Sequence, residues 1–167
     1  MNLHLLIVDV DGTLTDATVF YGDGNIEIKA FNTRDGLGLL FIRSIGVSVV
    51  LLTGRESEAV ARRAIDLGVT VVQNIADKAV ALRRLLAEHD VTREQTAYIG
   101  DDLNDYAAMS LCGYKACPAD ASTAIKAIAD YVSPLLGGHG AVRDIVEKLL
   151  IDNGRWDELL AAYGVSC

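Results

Sequence analysis

Short apolar runs alternate along the chain with segments of helical period. Leu5-Leu6-Ile7-Val8, Val49-Val50-Leu51-Leu52 and Ala97-Tyr98-Ile99 read as buried strands, each ending at a glycine or at small and acidic residues. Strands are expected near 4–10, 47–52, 69–73, 96–99, 114–117 and 130–132, and helices near 36–45, 57–67, 78–89, 103–111, 122–129 and 141–153. That alternation predicts an α/β fold, a parallel sheet with helices on both faces. Thr92-Arg93-Glu94-Gln95 has the form of a capping box and is expected to support only a short turn before the next strand.

One segment departs from the alternation. Between Thr18 and Phe31, two stretches of period two flank Gly22-Asp23-Gly24-Asn25, which predicts a projecting β-hairpin over about 18–31. The tail after Gly154, about 154–167, carries Trp156 and Tyr163, which can pack on the body or reach a neighbouring subunit.

With 167 residues, 51% of them apolar, the chain can bury one substantial core, so a single domain over 1–167 is expected. No basic-apolar leader pattern and no membrane-length apolar run are present, which points to a cytoplasmic protein with no membrane partner. Cys112, Cys117 and Cys167 lack metal-ligand spacing, and their odd number fits a reducing compartment; Cys112 and Cys117 are read as packing residues. A net charge of −8 argues against nucleic acid as a partner. It also means that an anionic substrate needs local positive charge, for which Arg34, Arg55, Arg63 and Lys78 are candidates.

The candidate chemistry lies where the strands end. Asp9 and Asp11 follow the first run; residues two apart share a face of a strand, and Gly12 lets the backbone leave sharply. Two crowded carboxylates repel each other unless they are neutralised, and a hard divalent cation with oxygen ligands does this while leaving room for a phosphate oxygen. An Asp-Gly turn with no chemistry is the plainer reading of the same residues. Thr53-Gly54-Arg55 ends the second run, where a hydroxyl and backbone N–H groups suit a phosphate oxygen. Lys78 opens a helix and offers a point charge for a phosphoryl group. Gly100-Asp101-Asp102-Leu103-Asn104-Asp105 ends the third run with acids, one of which can instead cap the following helix.

Four motifs in this order, at Asp9/Asp11, Thr53, Lys78 and Asp101/Asp102, resemble those of the haloacid dehalogenase superfamily of phosphohydrolases. The resemblance implies a Rossmann-like sheet and an aspartyl-phosphate mechanism. Asp9 would be the nucleophile, Asp11 the general acid and base, and Thr53 and Lys78 would hold the phosphoryl group. Magnesium would be bound by Asp9, the Asp11 backbone carbonyl and Asp101, with Asp102 as a further metal-site or supporting group and Asp105 orienting Lys78. Neither gap between the motifs is long enough for a lid domain, so no cap domain is expected. Asn32-Thr33-Arg34-Asp35-Gly36 and Gly137-Gly138-His139-Gly140-Ala141-Val142-Arg143 resemble segments of the lidless 3-deoxy-D-manno-octulosonate 8-phosphate phosphatases. His139 stands where that glycine-rich segment often has arginine and, like His4 and His89, is read as non-catalytic.

For that family the resemblance implies a homotetramer assembled through the hairpin, neighbours completing the site, and a role in lipopolysaccharide precursor synthesis. The substrate-binding set it implies is Asp11, Asn32, Thr33, Arg34, Asp35, Gly36, Thr53, Gly54, Arg55, Arg63 and Lys78. Asn32 to Gly36 also read as a loop capping the following helix, with Asp35 near its N-terminus, a role compatible with binding. Relatives acting on 2-keto-3-deoxynononate 9-phosphate tend to carry glutamate where Arg55 stands, so Arg55, with Arg63, favours the octulosonate. A phosphatase of broad sugar-phosphate tolerance is a further alternative. A non-enzymatic phospho-receiver module uses similar residues but places its aspartate on a later strand and has no acid two residues on, so Asp11 speaks for turnover.

Overall fold

The computed structural model describes residues 2–165, so the expectation for Cys167 lies outside the described residues. Six strands, β1 (Leu5–Val8), β4 (Ser48–Leu52), β5 (Thr70–Val72), β6 (Thr96–Ile99), β7 (Tyr114–Cys117) and β8 (Tyr131–Val132), form one sheet in the order β5-β4-β1-β6-β7-β8. Every pairing in it is parallel, with Leu5 opposite both Ser48 and Thr96. A second, two-stranded sheet is the hairpin β2 (Phe20–Tyr21) and β3 (Glu27–Ile28), antiparallel with Phe20 opposite Ile28. The turn falls at Asp23–Asn25, inside the expected Gly-Asp-Gly-Asn segment, and the pairing covers only two residues on each side, less than the alternating pattern suggested.

The helices α1 (Thr33–Ser44), α2 (Glu58–Leu67), α3 (Lys78–Glu88), α4 (Leu103–Met109), α5 (Thr123–Ile128), α6 (Ala141–Asp152) and α7 (Trp156–Ala162) cover the large sheet on both faces. Strand β1 shows why its sequence is continuously apolar. Leu6 and Val8 enter a core with α1, α2, α6 and α7, whereas Leu5 and Ile7 enter another with α3, α4 and α5. Cys112 and Cys117 lie in the second core, where burial pushes their thiols up to about 12 and about 11, respectively.

Helix α1 starts three residues before its expected position. Asn32 caps it, its side chain accepting from Arg34 N at 2.8 Å. Gly36 and Gly38 do not break it; a Cβ at Gly38 would sit 3.1 Å from the Arg143 Cα, so this glycine permits the close approach of α6. The tail packs on its own chain: Leu159 is buried, and the Tyr163 ring meets Phe41 edge-on, centroids 4.9 Å apart.

Only the hairpin and α1 lie between β1 and β4, and only α2 lies between β4 and β5, with no cap domain among the described residues. Among the described residues no helix is long and apolar enough to cross a membrane. The chain leaves β1 toward β4 and leaves β6 toward β7, so the sheet order reverses between β1 and β6. Such a switch point opens a crevice at the carboxyl ends of these two strands, where open α/β sheets bind ligands.

Candidate active site

The crevice gathers side chains from three strand ends and one helix start. After β1 the chain winds through one wide turn, Val10–Leu14, closed by Thr15 N donating to Val10 O at 2.9 Å. Gly12 occupies it at φ 97°, and a Cβ there would collide with the Asp101 carboxylate, so glycine is required both for the backbone and for the approach of the β6 end. Asp9 is buried, and its N–H donates to Ile99 O, tying the β1 and β6 ends together. Thr13 Oγ1 donates to Asp101 Oδ1 at 3.0 Å.

Lys78 is the first residue of α3, which Asp77 caps by accepting from Val80 N. Its buried ammonium donates to Asp9 Oδ1 at 2.5 Å and to Asp105 Oδ1 at 2.7 Å. Burial opposes that charge, but the two carboxylates outweigh it and hold Lys78 above its ordinary value. Asp105 is itself saturated: Oδ1 also accepts from Tyr98 Oη at 2.8 Å, and Oδ2 accepts from Asp101 N and Asp102 N. Burial, followed by the nearby Asp105, raises the Tyr98 hydroxyl well above its ordinary value and keeps it a donor.

Asp9, Asp101 and Asp105 bring carboxylate oxygens within 4.8 Å of one another. Burial first, then Asp105, raises Asp9 well above the usual carboxylate range, and burial pushes Asp101 up to about 6. Two desolvated carboxylates with one ammonium between them and Asp105 are short of positive charge, the donor set that suits a hard cation with oxygen ligands. Asp9 and Asp101 can hold it; Asp105 has no oxygen to spare.

The second strand end contributes Thr53, buried, its hydroxyl accepting from Arg55 N at 3.3 Å. Gly54 passes close to Ile75 O, which a Cβ would meet at 3.4 Å. Arg55 reaches across to the hairpin: its guanidinium donates to Tyr21 Oη at 2.6 Å and to Glu27 Oε2 at 3.1 Å, and Nε lies 3.9 Å from Asp11 Oδ2. Asp11 Oδ1 is paired with Lys29, whose side chain is fully enclosed.

Two of the expected site residues are engaged in the framework. Asp102 is exposed and caps α4, accepting from Leu103 N at 2.8 Å, and lies outside the group of Asp9, Asp101 and Asp105 whose oxygens gather within 4.8 Å of one another. Asp35 is fully buried inside α1, and its two oxygens accept from Gly140 N at 3.1 Å and Arg143 N at 2.9 Å. The carboxylate thereby ties α1 to the start of α6. Gly36 is buried against Arg63, whose guanidinium lies over the Phe31 ring at 5.8 Å. Thr33, Arg34, Gly36 and Arg63 line a separate groove between α1 and α2, and Asn32 belongs to the α1 cap.

Lys29, Glu27 and Tyr21 are the members that sequence reasoning left out. The alternation of the hairpin carried a signal for two of them, because Ile26 and Ile28 face outward while Glu27 and Lys29, of opposite parity, face the site. Tyr98 was read only as part of an apolar strand, although its hydroxyl ends on Asp105.

Residues 68–142 match the haloacid dehalogenase-like hydrolase family. The chain is 39% identical over 158 residues, 94% of its length and 84% of the relative's, to the 3-deoxy-D-manno-octulosonate 8-phosphate phosphatase of Escherichia coli strain K12. The crystal structure of the Yersinia pestis phosphatase of that name superposes with a TM-score of 0.90 at 38% identity, covering 93% of this chain and 85% of that one. The Moraxella catarrhalis phosphatase, crystallised with magnesium, phosphate and KDO, does so with a TM-score of 0.93 at 35% identity, covering 97% and 94%. With the fold, the motif order and relatives matched over 84% and 85% of their own length, the chain belongs to the 3-deoxy-D-manno-octulosonate 8-phosphate phosphatase family of haloacid dehalogenase-like hydrolases.

Proposed function

We propose that this protein is a magnesium-dependent phosphomonoesterase that hydrolyses 3-deoxy-D-manno-octulosonate 8-phosphate to the sugar acid and phosphate through an aspartyl-phosphate. The observation that carries this reading is the convergence of Asp9, Lys78 and Asp101 at the switch point, with Asp11 two residues beyond Asp9. Magnesium, when held by Asp9 and Asp101, supplies the missing positive charge and offsets the charge gathering on the phosphoryl oxygens.

Asp9 attacks phosphorus in line, through the oxygen not engaged by Lys78, and the ester oxygen departs. Asp11 gives its proton to the leaving alkoxide, then takes one from the water that cleaves the aspartyl-phosphate, a role worth about 10²–10⁴-fold. Lys78, fixed between Asp9 and Asp105, lies where it can donate to an equatorial oxygen, and Thr53 presents a hydroxyl to another. Positioning and electrostatics thus carry most of the acceleration.

Arg55, at the mouth of the site beside Asp11, is the residue we assign to the sugar acid. The outward face of the hairpin exposes Phe20, Ile26 and Ile28, each more than half accessible, an apolar patch that suits assembly into a homotetramer in which a neighbour covers the open site. We read the chain as one catalytic domain, acting in the cytoplasm in the supply of lipopolysaccharide precursors.

The test is phosphate release from the octulosonate 8-phosphate and 2-keto-3-deoxynononate 9-phosphate esters side by side, with magnesium and with chelator, Asp9→Asn serving as blank. Magnesium-dependent preference for the octulosonate ester is the expected result. Preference for the nononate ester overturns the substrate while keeping the chemistry.

A further inference from the structure

The general acid and base of the reaction is not free in its site; one of its two oxygens is already taken by a lysine from the hairpin. Lys29 follows β3, with Ile28 turned to solvent and Lys29, of opposite parity, turned inward. Its side chain has no accessible surface, and its ammonium is bonded to Asp11 Oδ1 and lies 3.9 Å from Glu27 Oε1. Glu27 in turn holds Arg55 through Oε2, and Arg55 Nε stands 3.9 Å from Asp11 Oδ2. Charges of alternating sign, Asp11, Lys29, Glu27 and Arg55, thus close a ring between the catalytic turn, the hairpin and the end of β4.

Burying a lysine ammonium with no accessible side-chain surface is costly unless it is paired. The carboxylate it pairs with sits two residues after the nucleophile. Asp11 Oδ2, by contrast, is buried and has no hydrogen-bond partner. The carboxylate is therefore anchored through one oxygen and left open at the other.

We propose that Lys29 is a positioning residue for acid–base catalysis: it clamps Asp11 through Oδ1 so that Oδ2 faces the reacting ester. This rests on the reading of Asp11 given above. In the first half-reaction the Asp9–phosphorus bond forms, the bond from phosphorus to the leaving oxygen breaks, and the proton on Asp11 Oδ2 passes to that oxygen. In the second, water attacks phosphorus, the Asp9–phosphorus bond breaks, and the water's proton returns to Oδ2. Lys29 keeps its proton throughout.

The test compares two leaving groups. A sugar alkoxide needs a proton as it departs, whereas p-nitrophenolate does not, and kcat/KM reports only the steps through departure of the leaving group. Lys29→Met, with folding checked by its melting curve, is expected to lower kcat/KM for octulosonate 8-phosphate by about 100-fold while changing that for p-nitrophenyl phosphate by less than about threefold. Lys29→Gln, which stays polar but loses the charge and one atom of reach, is expected to show the same split and keeps the test open if the methionine variant does not fold. Lys29→Arg is expected to restore most of the sugar-ester activity. Equal losses on both esters in a folded variant, or an unchanged sugar-ester rate, overturn the proposal. Asp11→Asn on the same two esters separates the layers: if it shows no split, the acid–base reading of Asp11 itself fails, whatever Lys29 does.

Discussion

Lys78 Nζ sits 2.7 Å from Asp105 Oδ1, an oxygen that also accepts from the Tyr98 hydroxyl at 2.8 Å. The pair is buried, and among the described residues Asp9 is the other acceptor that shares the ammonium. Asp105 is therefore a support for Lys78 rather than a ligand. Replacing it by asparagine leaves the shape but removes the charge that keeps the ammonium in line with Asp9. Asp105→Asn is expected to lower kcat by about 100-fold and to destabilise the fold by about 3–5 kcal/mol, the usual cost of breaking a buried ion pair. Steady-state rates and chemical denaturation check both; a variant with normal kcat would remove Asp105 from the machinery.

Crowding among Asp9, Asp101 and Asp105 makes metal binding visible in stability. Burial lifts Asp101 from 3.8 to about 6, and Asp9 is raised as well. A carboxyl with a raised value in the folded chain binds its proton more tightly there than when unfolded. Its contribution to stability is thus complete below about pH 4 and is lost as pH rises through about 6. Without magnesium the melting temperature is expected to fall over this window by more than in Asp101→Asn. The rise caused by saturating magnesium is expected to be larger at pH 7 than at pH 5, because ionised carboxylates bind it best. A magnesium shift independent of pH would count against Asp9 and Asp101 as the ligands.

Asp35 separates a structural from a substrate-binding role. Its oxygens satisfy the N–H groups of Gly140 and Arg143 at the start of α6. Asp35→Ala leaves both donors without a partner in a buried place, at about 1–3 kcal/mol each. The expected outcome is a melting temperature several degrees lower, with KM for the sugar ester nearly unchanged at a temperature where the variant is folded. A raised KM with an unaltered melting curve would restore it as a substrate contact.

The parts of this molecule legible in the sequence are those governed by local chemistry. The short apolar runs gave the six parallel strands, and the motifs at the strand ends and at the start of α3 gave Asp9, Asp101 and Lys78 around one crevice. Capping was less legible, because Asp101, Asp102 and Asp105 are the same residue type in one short segment. The resemblance already set Asp105 beside Lys78, but only the geometry assigns Asp101 to Thr13 and Asp102 to the α4 cap. The Asp35 tie joins residues 108 positions apart, and the Lys29 clamp depends on how the hairpin folds back over the catalytic turn. Long-range pairings of this kind leave no periodicity to read.

The glycine strap over the catalytic turn gives the last prediction. Gly138 N donates to Thr13 O at 3.1 Å, and Gly137 N donates to Asp120 Oδ1 at 3.0 Å, so the loop before α6 lies flat against the turn that follows Asp9. A Cβ at Gly137 would sit 2.7 Å from the Gly12 carbonyl carbon, with backbone rather than a flexible side chain in the way. Gly137→Ala must therefore push the strap off the turn or shift the turn itself, which places Thr13 and, through it, Asp101. A displacement of about 1 Å at reacting groups costs on the order of 100-fold in rate. Gly137→Ala is expected to lose activity by about that factor and to bind magnesium more weakly, whereas Gly154→Ala, at a glycine with open space around it but a φ of 65°, is expected to cost stability and leave kcat alone. Activity that survives Gly137→Ala at the wild-type level would mean that the turn tolerates movement, and that the reacting geometry is set by Lys78 and Asp105 without help from the strap.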